Sequence, residues 1–251
     1  MPARDAPLLV EDLTWPALAA LVERGEALCV LPVAAVEQHG PHLPVSTDSE
    51  IATAACRAAS ARTGVPVLPT LWAGSSHAHT TAWPGTFSLP ARLLIEVVVE
   101  LSRWVRASGF SRLLLVNAHV GNAAPLSVAV DEIRAAGELR AGLVSWYELT
   151  PEIVTAVTSD ADDWHAHAAE TSLMLHLRPE LVDRNAIRDD DDRTGDLVLS
   201  YTVAETSREG LTGAPSRASA DEGAALFETV VTALAERFER ARIEAPPKLW
   251  P

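Results

Sequence analysis

The stretch ALCVLPVAAVEQHGPHLPVSTD, residues 27–48, decides how this chain is read. Its first part, 27–34, is an apolar run after the Gly25–Glu26 turn and reads as a buried strand. Its second part places Glu37, His39, His42 and Asp48 within twelve positions. A strand that runs into carboxylates and imidazoles delivers them at its carboxyl end, the edge at which open α/β sheets bind ligands. Glu37 and His39 are two apart, so in extended backbone they leave the chain on the same side. Pro41 and Pro44 stiffen the loop that leads on to Asp48. Carboxylate with imidazole suits zinc, manganese or iron. The same letters also suit a capping cluster in which Asp48 or Ser49 opens the next helix.

Outward from this stretch, helix and strand alternate. Residues 13–24 read as a helix with Thr14 as its cap, Pro16 in its first turn and Gly25 just beyond. Residues 49–63 form a second helix ended by Gly64, and VPVLPT, 65–70, is a second strand. A long loop follows, with Trp72, His77, His79 and Trp83, and loops of this length inside a domain are usually functional or disordered. The helix expected over 90–109 has apolar residues almost all round, which implies burial between the sheet and a further layer or subunit. Strand 112–119 ends in Asn117, Ala118 and His119 at the same sheet edge as the first cluster. A helix over 122–136, capped by Asn122, and a strand over 140–147 repeat the unit. Residues 151–177 carry Trp164, His165, His167 and Glu170, with His165 in the loop or cap before a helix that holds Glu170. Residues 183–220 are polar and irregular, and the DDDD run at 189–192 reads as solvated surface without chemistry. A helix over 220–242, capped by Ser219 with Glu222 three later, closes the chain before a Pro-rich tail.

Composition bounds the possibilities. With 251 residues and 48% hydrophobic content, one domain spanning 1–251 can bury a substantial core. Alternating Ala-rich helices and short Val/Leu strands argue for α/β. A net charge of −14 opposes a phosphate-tracking surface, so nucleic acid is excluded as a partner. Cys29 and Cys56 read as buried small apolar residues rather than a disulfide. The N-terminus lacks the pattern of a signal peptide and no apolar run reaches membrane-spanning length. A cytoplasmic protein with no membrane partner is the expectation.

Several ordered motifs then combine. LPVAAVEQHGPHLPVSTD at 31–48 resembles the signature of the creatininase family of metal-dependent amidohydrolases, close to LPVGSxEQHGPHLPLxTD, with Ala34 and Ala35 replacing the Gly-Ser pair. WPGTFSL at 83–89, NAHVGN at 117–122, HAHAAETSLML at 165–175 and GLTGAPSRAS at 210–219 follow the family pattern in order. The resemblance implies a three-layer α/β/α sandwich with a mainly parallel sheet, and often a homohexamer. It implies two divalent ions, zinc first with manganese or iron as alternatives. One would be held by Glu37, Asp48 and His119, the other by His39, Asp48 and Glu170, with a hydroxide between them as nucleophile. His165 resembles the family's proton-shuttling histidine, and an imidazole is suited to both proton transfers.

Departures from the pattern matter. Creatininase itself carries a glutamate two after the histidine of its third motif, where this chain has Gly121. Glu170 takes that ligand's place by resemblance to other members. His167 stands where the family pattern has glycine. His42 is expected to orient a ligand rather than to be one. His79 is a candidate substrate contact, as is His77, and Trp146 and Trp164 are candidates for a lid over a flat substrate or for core. The implied activity is cleavage of a C–N amide bond in a small cyclic amide, a formamide or a short peptide. Particular branches are creatinine hydrolysis and the trimming of the mycofactocin precursor. The rival is a non-catalytic metal-binding scaffold.

Overall fold

The computed structural model describes residues 6–79 and 82–247. Three strands, β1 (Leu28–Val33), β2 (Arg112–Asn117) and β3 (Arg140–Ser145), form a parallel sheet in sequence order. Their register aligns Val33 with Asn117 and Asn117 with Ser145, so all three strands end on one rim. β1 is buried along its whole length, as its unbroken apolar sequence requires when both sheet faces are covered.

The segment expected to form a second strand, 65–70, does run beside β1 but makes only isolated parallel bridges, Val30 to Val67 and Val33 to Leu71. Pro66 and Pro69 have no N–H to donate, so the ladder cannot be continuous there. The bonds that remain run both ways: Leu68 N and Leu71 N donate to Val30 O and Pro32 O, and Val30 N and Ala34 N donate to Pro66 O and Leu71 O.

Helices cover both faces. On one lie α1 (Trp15–Glu23), α3 (Ala91–Ala107) and α4 (Ala123–Ala136), packed over Cys29, Leu31, Leu113 and Leu115. On the other lie α2 (Thr47–Thr63), α5 (Pro151–Val157), α6 (Ala168–Leu177) and α8 (Ala220–Ile243), packed over Val30, Leu114 and Val116. A four-residue helix, α7 (Val203–Thr206), interrupts the long connection between α6 and α8. The result is the α/β/α sandwich. Cys29 and Cys56 are free, buried and on opposite faces of the sheet.

One expectation is met on one face only within this chain, and two are corrected. α3 is one-sided: Leu94, Val98 and Val105 are buried, whereas Trp104 is 65% exposed among Arg92, Glu96, Glu100 and Arg103. Only its sheet-facing stripe is covered within this chain. Asn122 does not cap α4; its side chain accepts from Ser75 N at 2.8 Å and donates to Ala34 O at 3.0 Å, tying three loops together. The Asp189–Asp192 run is not simply solvated. Asp190 is 7% exposed and accepts from Ser207 Oγ and Arg208 N, while Asp192 accepts from the backbone of Asp162 and Asp163. Carboxylates here organise the 159–213 loops, because buried backbone N–H groups need acceptors. Ser219 caps α8 as expected, accepting from Glu222 N. Part of the Pro-rich tail, 248–251, lies outside the described residues.

Candidate metal centre

The loop after β1 closes on itself. Glu37 N donates to Val45 O at 2.9 Å, and Ser49 Oγ donates to Ala35 O at 2.9 Å, which fixes the start of α2 beside the end of β1. Asp48 therefore arrives in the first turn of α2, where the helix dipole favours a carboxylate. His119 follows β2, its backbone N accepted by Asn117 Oδ1; Asn117 Nδ2 in turn donates to Tyr147 Oη at 2.9 Å just past β3. Glu170 comes from the first turn of α6. Four separate segments thus converge on the common rim.

The convergence is close. His39 Nε2 lies 3.4 Å from Asp48 Oδ1 and 3.7 Å from Glu170 Oε1. His119 has Nε2 3.3 Å from Glu37 Oε2 and Nδ1 3.3 Å from Asp48 Oδ2. Glu37, His39, Asp48 and Glu170 are all essentially inaccessible to solvent. His165 sits in the loop before α6, with Nδ1 3.7 Å from Glu37 Oε1. His42 touches none of the carboxylates. It is buried beside Thr171, bonded through Nε2 at 2.8 Å, next to Glu170 in the chain.

Buried carboxylates in such number demand positive charge. Burial lifts the Glu37 carboxyl to about 7 against the pull of His119. Burial also opposes charging of His119 and His39, but Glu37 and Asp48 outweigh it at His119, lifting it to about 9, and Asp48 with Glu170 outweighs it at His39, lifting it well above the usual range. At Asp48 and Glu170 burial is overcome by neighbouring imidazoles, which hold both low. Even so, Glu37 Oε2, His39 Nε2 and Asp48 Oδ2 are buried without a hydrogen-bond partner. Orphaned donor-set atoms turned toward one another are what a cation site requires, so the residues fit divalent ions. Ligand atoms of Glu37, His39 and Asp48 lie within 4.8 Å of one another, as do those of His39, His165 and Glu170.

Above this floor opens a cavity of about 600 Å³, lined by Glu37, His79, His119, Trp164 and His165 below and by Leu197, Leu199 and Tyr201 at its outer wall. Trp164 lines the cavity wall and also packs against the core, with its ring 4.7 Å from that of His167. Trp146 is a correction: it is 1% exposed, part of the core on the α2/α6/α8 face and edge-on to Tyr147, and it does not line the cavity. The chain turns inward directly after β3, carrying the ring beneath the rim.

Sequence reasoning missed Gln38. Its Oε1 accepts from Gly40 N, which orients the amide so that Nε2 faces His79 Nδ1 at 3.1 Å. His79 then directs Nε2 to Glu37 Oε1 at 3.2 Å, as a partner of that carboxylate. Gln38 O lies 2.8 Å from His165 Nε2, which places the His165 proton on Nε2 and leaves the lone pair on Nδ1. Burial together with the neighbouring His79 and His39 holds His165 well below its usual pKa, hence neutral. The EQHG string held the signal, but only folding showed that its Gln reads two distant imidazoles.

Gly121 is also explained. A Cβ there would come 2.3 Å from Ser75 O and 2.5 Å from His119 Nε2. The backbone approaches so closely that no side chain, least of all a glutamate ligand, fits without displacing His119.

The profile of the family described as "Creatininase: Creatinine amidohydrolase" matches residues 11–238. A creatinine amidohydrolase from Pseudomonas putida is 30% identical over 258 residues, covering 96% of this chain and 98% of that protein. A mycofactocin precursor peptide peptidase from Mycolicibacterium smegmatis is 33% identical over 237 residues, covering 85% of each. Among solved structures, a creatininase mutant of Zn–Zn type matches with a TM-score of 0.82 at 29% identity, over 94% of this chain and 99% of that one. A manganese creatininase matches to the same extent, with a TM-score of 0.82 and 29% identity over 94% and 99%.

Proposed function

Since the chain belongs to the creatininase family, whose members hydrolyse C–N amide bonds, we propose that it is a metal-dependent amidohydrolase whose Glu37, His39, Asp48, His119 and Glu170 hold two divalent ions. The observation that carries this reading is the set of buried atoms without a hydrogen bond, Glu37 Oε2, His39 Nε2 and Asp48 Oδ2, which face one another and His119 at the meeting point of four segments. Asp48 turns one oxygen to His39 and the other to His119, which suits a carboxylate shared between two ions. When bound, the ions would polarise the amide carbonyl and make water acidic enough to attack at neutral pH. His165 Nδ1, neutral and facing the cavity floor, takes the proton of the attacking water and returns it to the leaving nitrogen. His79 and Gln38 hold Glu37 and His165 in those orientations.

For the substrate, a short peptide or a peptide-like amide is favoured over a small cyclic amide. A cavity of about 600 Å³ with Leu197, Leu199 and Tyr201 along its outer wall is ample for several residues' worth of side chain. The relationship to a mycofactocin precursor peptide peptidase points the same way. Creatinine is the alternative substrate, and a parallel assay of creatinine and of short C-terminal peptides separates the two.

Elemental mass spectrometry on protein purified without chelator tests the metal reading. About two equivalents of zinc, manganese or iron per chain are expected. No metal after reconstitution would overturn it in favour of a scaffold.

A further inference from the structure

We propose that His167 is a positioning residue for Glu170: its imidazole holds carboxylate oxygen Oε2 so that Oε1 is turned toward His39 to receive a cation. The inference rests on the metal reading above and concerns a residue that departs from the family pattern, which has glycine at this place.

The geometry is specific. His167 is 0% exposed, and its Nδ1 lies 3.2 Å from Glu170 Oε2, the imidazole's one hydrogen bond among the described residues. Its Nε2 is buried without a partner, so the proton belongs on Nδ1, where it is donated to the carboxylate. Glu170 Oε1 meanwhile faces His39 Nε2 at 3.7 Å. The two oxygens are thereby given different tasks, one held by protein and one left toward the ion site. A glutamate's terminal torsion is broad, so without a partner on Oε2 nothing prefers this orientation.

The surrounding chain is shaped to admit the ring. Ala166, buried, has a φ of 50°, the left-handed region that an alanine rarely adopts. This turn sends His165 toward Gln38 and His167 toward Glu170. Backbone bonds between His165 and Thr212, at 3.2 and 2.8 Å, clamp it. Across from the ring, Gly213 has a φ of 127°, and a Cβ on it would meet the His167 Cβ at 2.7 Å. Trp164 closes the other side, its ring centroid 4.7 Å away and tilted by 34°. A side chain in place of the family's glycine has therefore been accommodated by packing and directed at one ligand.

Partners of ligating carboxylates commonly alter metal affinity about 10–100-fold. The test titrates metal-free wild type, His167→Ala and His167→Asn with Zn²⁺ against a competing chelator. Co²⁺ absorption and metal-free thermal stability are followed in parallel. In His167→Ala one of the two ions should bind about 10–100-fold more weakly, with its Co²⁺ band altered, while the other keeps its affinity. His167→Asn, whose amide nitrogen replaces Nδ1, should restore most of the affinity and the band. Wild-type affinity and spectrum in His167→Ala would overturn the proposal. So would equal loss of both ions in the Ala and Asn variants together with lowered metal-free stability, since that marks packing damage. Wild type that binds no ion would overturn the metal reading itself and this inference with it.

Discussion

Replacing Asp48 by Asn removes a charge and almost no volume, and its consequences can be worked out for the metal-free and metal-loaded states separately. In the metal-free protein, Asp48 meets His39 at 3.4 Å and His119 at 3.3 Å. Each imidazole keeps a second carboxylate after the change, Glu170 at 3.7 Å and Glu37 at 3.3 Å. One carboxylate fewer among three also relieves repulsion on Glu37, one of the causes that raise it. The net cost without metal is thus small, about 1–2 kcal/mol on the scale of a charge-assisted bond. With metal the outcome differs, because both ions lose their shared ligand. At a free-metal concentration roughly 100-fold above Kd, each ion adds about 2.7 kcal/mol to wild-type stability. Two ions together correspond to a rise in Tm of ~10–20 °C for a chain of this size. The assay is differential scanning calorimetry of wild type and Asp48→Asn, each with chelator and with Zn²⁺. Wild type should show the metal-dependent rise and Asp48→Asn almost none, with similar Tm values in chelator. A variant that retains the full increment and two ions per chain would refute the shared-carboxylate assignment.

His165→Ala should lower kcat about 10²–10⁴-fold while metal content, measured by elemental mass spectrometry, stays at the wild-type value. Gly121→Glu should fail to add a ligand; its Cβ would overlap Ser75 O and His119 Nε2, so metal content and Tm should both fall. Trp146→Ala should cost about 3–5 kcal/mol in denaturant unfolding, as for a fully buried indole. Trp164→Ala, at the cavity wall, should instead raise KM with a smaller stability loss. At Asp190, burial raises the carboxyl, but the Arg208 backbone N–H, the Ser207 hydroxyl and Arg193 outweigh it and hold it below the usual range. Its folded value lies below its unfolded one, so its contribution is present above about pH 4 and is lost as pH falls through the folded value. Asp190→Asn should accordingly lower Tm at pH 7, by an amount that shrinks as pH falls below about 4 and through the folded value.

That Glu37, His39, Asp48, His119 and Glu170 meet at one rim was readable, because each stands in a motif of the family order at the end of an apolar strand or at the start of a helix. The common rim was readable as well, since apolar runs alternating with helices imply parallel strands whose carboxyl ends share one edge. What one-dimensional pattern could not carry were the assignments that depend on which atoms meet across long separations. Gln38 orients His79 and His165, 41 and 127 positions away. Asn122, a capping residue by its letters, bridges Ala34 and Ser75 instead. Trp146 and Trp164 share a residue type and a neighbourhood, yet one is core and the other lines the cavity, because a turn after β3 takes the first beneath the rim. Pro66 and Pro69 weakened a strand whose apolar pattern was correct. The amino-acid sequence determines which side chains can ligate and roughly where each element lies, since these follow from local chemistry and periodicity. The direction of each polar atom is left to tertiary packing, because a hydrogen bond or an orphaned lone pair exists only once its partner's position in space is set.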